Sequence, residues 1–265
     1  MKLAFVVFAF VIGFAGAAKA AVIFDDFNDG NDVGWTRVDP IALATGGTFT
    51  GGNWSFPNGN SYEVAGTPES PSPGTLGTAR AYSLRLDETY SDTVMSWEVL
   101  DWTSGNGRQA FGGLARVGSP GPGTTSGYGF FYGPSLLLGS EGIAIFRIDN
   151  EIPTVTLGSL PLDLTSGTPY QFVFSVIGED LRGQVFDITN PGSPQSLGII
   201  SGFTDSTYAS GNTGLFVGGA GVNYTTAATT FDNYFAAPEP SGALLLMVGA
   251  TMPLLRRRRC ERVYR

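Results

Sequence analysis

The side chains best suited to chemistry in this chain are carboxylates, because the sequence has no histidine and its one cysteine, Cys260, lies near the C-terminus. The lack of histidine excludes a Ser-His-Asp triad and a histidine-ligated zinc. A glycosidase would need two carboxylates that face one cleft. Glu98 and Asp101 are three residues apart in an extended segment, so they should point to opposite faces of a strand. We therefore expect no catalytic residues and a protein that is not an enzyme.

Aspartates near both ends of the central region suggest a structural Ca²⁺ site. Asp25, Asp26 and Asp29 crowd the segment FDDFND, and Asp232 lies in TTFDNYFA. The first and last strands of jelly rolls are often neighbours, and hard oxygen ligands from both strands would suit Ca²⁺. The alternative is a set of solvated turn residues that hydrogen-bond to nearby backbone. The spacing does not match an EF-hand loop, and both interpretations stay open.

Exposed aromatic rings could stack on sugars. Trp54, in the segment GGNWSF, and Tyr62 are the candidate glycan-binding residues. Trp97 and Trp102 have opposite parity within one extended segment, so at least one of them should pack in the core. Packing in or around the core is the alternative for any single ring of this kind.

The elements that must position these residues are strands. Glycine (38 residues) and proline (16) interrupt short segments in which apolar and polar residues alternate. Residues 39–59 are expected to form an elaborated loop. The pattern predicts an all-β fold in which residues 21–237 form one antiparallel β-sandwich. Strands are predicted at 83–86, 93–102, 109–118, 127–133, 142–149, 169–188 (as a hairpin), 213–219 and 229–236.

Charge is distributed unevenly along the chain. Residues 21–237 contain 7 basic and 21 acidic residues, a net charge of 7 − 21 = −14, whereas the whole chain carries −8. An acidic surface repels phosphate backbones, so nucleic acid is not expected as a partner.

The N-terminus is typical of a secretory signal peptide. Lys2 precedes an apolar segment, Leu3 to Gly16, and the small-residue sequence Ala18-Lys19-Ala20 follows. These features occur in the order that signal peptidase requires. We expect a signal helix within residues 1–20 and cleavage after Ala20.

The C-terminus combines three further features. Pro238, Glu239, Pro240 and Ser241 form a short motif, an uncharged segment follows over residues 241–255, and Arg256, Arg257, Arg258 and Arg259 come next. As a helix the uncharged segment would be roughly 22 Å long. A stable span needs about 20 apolar residues, so this is a short transmembrane helix. The arginines would act as a stop-transfer cluster on the cytoplasmic side.

This order of motif, apolar helix and arginine cluster resembles the PEP-CTERM sorting signal, here residues 238–265. The six residues CERVYR after the arginines make the tail longer than is usual for that signal. The resemblance implies a substrate of exosortase in a Gram-negative bacterium. The chain would cross the inner membrane, stay membrane-anchored until it is cut near the motif, and then be released or attached at the cell surface.

The central region is similar to concanavalin A-like, laminin-G-like jelly rolls. The similarity rests on FDDFND, GYGFFYG, YQFVFSVIGEDLRGQVFD, TGLFVGG and TTFDNYFA. It implies a fold more than an activity. The function expected is that of a structural, adhesive or glycan-binding surface protein, with exopolysaccharide as a candidate ligand. The alternatives are a secreted glycan-active enzyme on the same fold and an uncleaved membrane-anchored protein.

Overall fold

The computed structural model describes residues 20–39, 51–66, 80–103, 109–121, 123–134, 141–219 and 227–239. These ranges form strands and one short 3₁₀ helix, Pro57–Gly59. The strands are β1 (Ile23–Asp25), β2 (Thr36–Val38), β3 (Gly52–Ser55), β4 (Tyr62–Gly66), β5 (Arg80–Tyr90), β6 (Thr93–Trp102), β7 (Gln109–Gly118), β8 (Ser126–Pro134), β9 (Glu141–Asp149), β10 (Ile152–Pro161), β11 (Tyr170–Ile177), β12 (Asp180–Asp187), β13 (Gln195–Thr204), β14 (Gly211–Gly219) and β15 (Ala227–Pro238).

The strands form two antiparallel sheets, as the sequence predicts. One sheet has eight strands in the order β13-β12-β11-β6-β15-β4-β3, with β1 paired to β15. The other has seven strands in the order β10-β9-β8-β7-β14-β5-β2. No helix within the described ranges is long and apolar enough to cross a membrane. The predicted signal helix and the predicted helix at 241–255 lie outside those ranges.

The main core fills the space between the two sheets. Along β6, Thr93, Met95, Trp97 and Val99 are buried in strict alternation with less buried neighbours, which matches the period of a strand. The Trp97 ring stacks on Phe172 of β11 with centroids 5.7 Å apart. Opposing apolar faces of this kind supply most of the stability of a sandwich.

A β-bulge near the end of β6 overturns the parity argument made from the sequence. Thr230 of β15 lies opposite Asp101, and the next residue lies opposite Val99, so Leu100 is an extra residue on β6. A bulge shifts every later side chain to the other face. Trp97 and Trp102 therefore both pack against the core, and Glu98 and Asp101 share the outer face.

A second hydrophobic cluster covers the outer face of the seven-stranded sheet. The rings of Tyr82, Phe216 and Phe131 form a row with centroids 5.3 and 4.8 Å apart. Arg80 of β5 forms an ion pair at 3.5 Å with Glu151 in the β9–β10 turn. Three strands separate β5 from β9, a distance of about 19 Å in a flat sheet. The sheet must therefore curl, and its outer face is concave.

The first and last described strands are neighbours, as the calcium hypothesis required. Ile23 of β1 lies opposite Ala236 of β15, and the strands are antiparallel. The amide of Glu239 donates to the carbonyl oxygen of Asp92 at 3.2 Å. Both ends of the described chain therefore leave the sandwich at the same place.

Residues 39–59 include β3 and the 3₁₀ helix, whereas the sequence predicts a loop there. Among the described strands β3 pairs with β4 alone, and it forms one edge of the eight-stranded sheet. Its four residues are too few to show an alternating pattern, so the local sequence carries little strand signal.

Candidate functional site

The two aromatic residues that the sequence predicts for glycan binding differ in how deeply the structure buries them. Tyr62 is 0% exposed and lies between Phe27 and Phe56, with ring centroids 4.9 and 5.2 Å away. Its ring cannot stack on a sugar, so that expectation for Tyr62 is corrected. Trp54 is only partly buried and packs at the margin of the core. An aromatic residue on a central stretch of sheet loses both ring faces to neighbours, whereas an edge strand leaves more of the side chain accessible.

Trp54 lies where the edges of the two sheets meet. Strand β3 is the edge of one sheet and β2 is the edge of the other. The Asp39 carboxylate follows β2 and accepts hydrogen bonds from the amides of Gly51 and Gly52, each at 2.8 Å. These bonds hold the start of β3 against the end of β2.

The six-membered ring of the Trp54 indole packs against Gly52. A Cβ at Gly52 would be 2.2 Å from a carbon of the indole, so only glycine leaves room for the ring. The indole Nε1 is buried and has no hydrogen-bond partner among the residues that the structure describes. Buried indole N–H groups normally have an acceptor, so this donor has unused capacity.

A bidentate ion pair lies beside the indole. Arg37 donates to Asp32 through Nε at 2.6 Å and Nη2 at 3.0 Å, and its guanidinium carbon is 5.8 Å from the centroid of the Trp54 ring. The hydrogen bond with Asp32 raises the pKa of Arg37. The Arg37 side chain is 43% exposed, so its remaining donors face solvent.

Tyr62 supports this pair from the core. Its hydroxyl donates to Asp32 Oδ2 at 2.9 Å and lies 2.7 Å from Ser83 Oγ. Burial is the main cause that raises the pKa of Tyr62, so the phenol stays protonated. We call Asp32, Arg37 and Trp54 the edge site. It offers an indole, which can pack on the apolar face of a sugar, together with a guanidinium and a carboxylate, which can bind sugar hydroxyls.

The aspartates proposed for calcium are mostly engaged with the protein itself. Asp25 accepts from the amide of Phe27 at 2.9 Å and from Trp35 Nε1 at 2.8 Å. Asp26 and Asp29 accept from backbone amides two residues further on, each at 3.2 Å. These are Asx turns, the alternative that the sequence left open. In the parts of the chain that the structure describes, no three His, Cys, Asp or Glu residues are placed to hold a metal ion.

Asp232 differs from the other aspartates. It lies directly opposite Glu98 on the adjacent strand, and Asn233 donates to Glu98 Oε2 at 3.0 Å. Burial is the largest cause that raises the pKa of Asp232, to about 6, and the charges of Glu98, Asp26 and Asp25 add to it. The carboxylates of Glu98, Asp26 and Asp25 are thus close enough to act on the charge of Asp232, whereas Asp29 makes no contribution to this shift. As placed, they do not form a complete calcium cage.

The sorting residues fall at the limit of the described chain. Pro238 ends β15 opposite Thr93, and Glu239 follows it. Pro240, Ser241 and the cluster Arg256, Arg257, Arg258 and Arg259 lie outside the described residues.

Comparison with solved structures identifies the fold. The structure aligns with lectin I of Ulex europaeus, bound to the methyl glycoside of α-L-fucose, with a TM-score of 0.55 and 8% identity over 83% of this chain and 99% of that one. It aligns with lectin UEA-II, complexed with galactose, at 0.53 and 11% identity over 83% and 99%. The carbohydrate recognition domain of Emp47p gives 0.51 and 12% identity over 84% and 98%.

The domain has a lectin-like fold. This agrees with the concanavalin A-like jelly roll expected from the sequence. No protein-family profile matches the chain. No curated protein matches it either. At these identities the lectin-like fold fixes the architecture, and function must be argued from the residues of this chain.

Sequence reasoning missed Arg37, Asp32 and the pairing of Glu98 with Asp232. Residues 21–237 contain only seven basic residues, and Arg37 is one of them. Its rarity and its place next to Trp35 were a signal that could have marked Arg37 as a candidate binding residue. The Glu98–Asp232 pair could not be found, because it depends on which strands are neighbours across 134 residues.

Proposed function

We propose that this chain is an exported surface protein whose lectin-like domain binds a glycan through the edge site. The observation that supports this most is the partly buried Trp54 indole beside the Arg37–Asp32 pair, in which the Arg37 side chain is 43% exposed. A sugar ring has an apolar face and a rim of hydroxyls, each of which both donates and accepts. The indole would cover part of the apolar face, and the guanidinium and carboxylate would bind hydroxyls.

The negative net charge of the domain favours a neutral glycan over an acidic one. With a net charge of −14 over residues 21–237, the domain would repel an acidic polysaccharide at long range. Arg37 is already neutralised by Asp32, so it does not reverse this repulsion locally. The ligand we propose is a neutral polysaccharide, in keeping with a role in an exopolysaccharide matrix.

The binding experiment uses the chain without residues 1–20 and measures its retardation in gels that contain β-glucan, xylan, galactomannan or alginate. We expect retardation by at least one neutral polymer and none by alginate. Trp54→Ala and Arg37→Lys should each weaken it, because lysine cannot form the bidentate pair. Phe24→Ala is the matched control, since Phe24 is 64% exposed and lies on β1, away from the edge site. Retardation that is unchanged in Trp54→Ala would exclude the edge site.

We also propose that the tail directs sorting by exosortase. The support is the sequence motif, together with the position of Pro238 and Glu239 at the last strand. The test is the mass of the mature protein in a strain with exosortase and in its deletion strain. Loss of the tail near Pro238 only when exosortase is present supports sorting. An intact protein in the inner membrane of both strains would identify a plain membrane anchor.

A second candidate function, glycoside hydrolysis, is favoured by one observation. Asp232 has a pKa raised to about 6 and lies opposite Glu98, and glycosidases pair a carboxylic acid of raised pKa with a second carboxylate. Release of reducing sugar from the same polysaccharides would support it if Asp232→Asn abolishes the release. No release by the wild-type protein would leave binding as the activity.

A further inference from the structure

One backbone contact, at Ala21, would change its chemistry if the signal peptide were removed as predicted. Cleavage after Ala20 would convert Ala21 from an internal residue into the N-terminal residue of the mature protein. The inference rests on the proposed export of the chain and concerns where that new terminus is held.

The backbone of Ala21 is bound at two points by one strand. Its nitrogen donates to Glu88 Oε2 at 3.0 Å, and its carbonyl oxygen accepts from the Tyr90 hydroxyl at 2.7 Å. Pairing of β5 with β14 is irregular between Arg85 and Tyr90, and the side chains of Glu88 and Tyr90 both reach Ala21 from this irregular part of the strand. Asn212 of β14 donates to the carbonyl oxygen of Glu88 at 2.7 Å and fixes the strand there.

We propose that Glu88 and Tyr90 form a docking site for the processed N-terminus of this protein. In the unprocessed chain the Ala21 nitrogen is a neutral amide with one hydrogen. After cleavage it is an ammonium group with three hydrogens and a positive charge. The contact with Glu88 then becomes a charge-assisted hydrogen bond, which is shorter and stronger than a neutral one.

The charges nearby suit an ammonium group. Asp87 is occupied by Arg85 at 2.7 Å, which leaves Glu88 as the carboxylate that contacts Ala21. Tyr90 is 1% exposed, and burial raises its pKa to about 12, so its hydroxyl remains a donor at neutral pH. The carbonyl oxygen therefore keeps its partner while the nitrogen gains charge.

Docking would matter because β1 is short. It has three residues and pairs with β15 alone among the described strands. A fixed Ala21 shortens the free end of β1 and holds it in register with β15. Signal cleavage would thereby tighten the part of the domain from which the sorting tail leaves.

The test uses the chain from Ala21 to Arg265 in two forms, one with a free α-amino group and one with that group acetylated. Acetylation keeps the N–H and removes the charge, as in the precursor. The α-amino pKa is measured by NMR titration of an isotope-labelled Ala21. We expect it about half a unit above the ordinary value of about 7.7–8.0, with the pair largely exposed.

Glu88→Gln should return the pKa to its ordinary value and should lower the melting temperature of the free form more than that of the acetylated form. Glu179→Gln, on an exposed turn, is the control and should do neither. An unshifted pKa, or equal effects of Glu88→Gln on both forms, overturns the docking site. The mass of the exported protein tests the cleavage separately. A mature terminus other than Ala21 overturns the proposal through its export step, whatever the titration shows.

Discussion

Asp232→Asn provides the sharpest test of the electrostatics. The pKa of Asp232 is raised from 3.8 to about 6, first by burial and then by Glu98, Asp26 and Asp25. A raised pKa means that the folded state binds a proton more tightly than the unfolded state. Stability should therefore fall as the pH rises from about 4 to 6 and change little above that range.

The magnitude follows from the shift and the exposure. A shift of about 2 units corresponds to about 3 kcal/mol without screening. Asp232 is only half-buried, so solvent screening reduces the cost to about 1 kcal/mol. Asparagine keeps the acceptor that binds the Asn233 amide at 2.8 Å and removes the charge. We expect Asp232→Asn to stabilise the domain by about 1 kcal/mol at neutral pH, or about 2–4 °C in melting temperature.

The assay is thermal melting in EDTA at about pH 4 and about pH 7.5, which lie on either side of the titration window. The gain should disappear at the lower pH, where the wild-type carboxyl is already protonated. Asp187→Asn is the matched control. Hydrogen bonds from Thr189 lower the pKa of Asp187, so this variant should lose stability at neutral pH. An Asp232→Asn variant that is less stable than wild type at neutral pH would refute the reasoning.

Three further results are expected. If Asp26 and Asp232 help to hold calcium, millimolar Ca²⁺ should raise the melting temperature of EDTA-treated wild type and not of Asp232→Asn; equal melting with and without calcium would remove that hypothesis. Gly113→Ala should lower the free energy of unfolding by about 2 kcal/mol, because its Cβ would lie 2.4 Å from the Trp97 ring. The measurement is urea unfolding, and an unchanged midpoint would contradict this packing. Arg116→Met should lower the free energy of unfolding by about 3 kcal/mol, because Arg116 is 2% exposed and donates to two backbone carbonyl oxygens that would lose their partner. A decrease below about 1 kcal/mol would show that water takes the place of the guanidinium.

The long strands could be predicted because their patterns are complete. Strands β6 and β7 have the predicted bounds, 93–102 and 109–118. The predicted hairpin at 169–188 is also present, as β11 and β12, and its turn contains Gly178. Strands β1 to β4 have only three to five residues each, which is too short for alternation to stand out. Strand β10 contains two prolines and β13 is mostly exposed, so neither has the pattern of a half-buried strand.

The site could be predicted only in part, for reasons that lie beyond local sequence. Trp54 was a candidate as an aromatic residue in the segment GGNWSF, and Gly52 of that segment is the residue that accommodates its ring. Tyr62 was misassigned because its burial depends on rings outside its own strand, those of Phe27 after β1 and Phe56 after β3, and the pattern of β4 does not show that they cover it. The bulge at Leu100 likewise arises from pairing with β15, and it moves Asp101 and Trp102 to the faces opposite to those that the sequence predicts.

The pairing of β1 with β15 sets how the domain would be suspended. Ile23 and Ala236 lie opposite each other, so a leader before β1 and a tail after β15 leave from one end of the sandwich. In a precursor that carries both segments, the leader and the tail would both attach the domain to the membrane at this one end. The opposite end of the sandwich, where β6 ends and β7 begins, would be the part farthest from the bilayer. If one segment alone were cut, the other would still hold the domain at the same end of the sandwich.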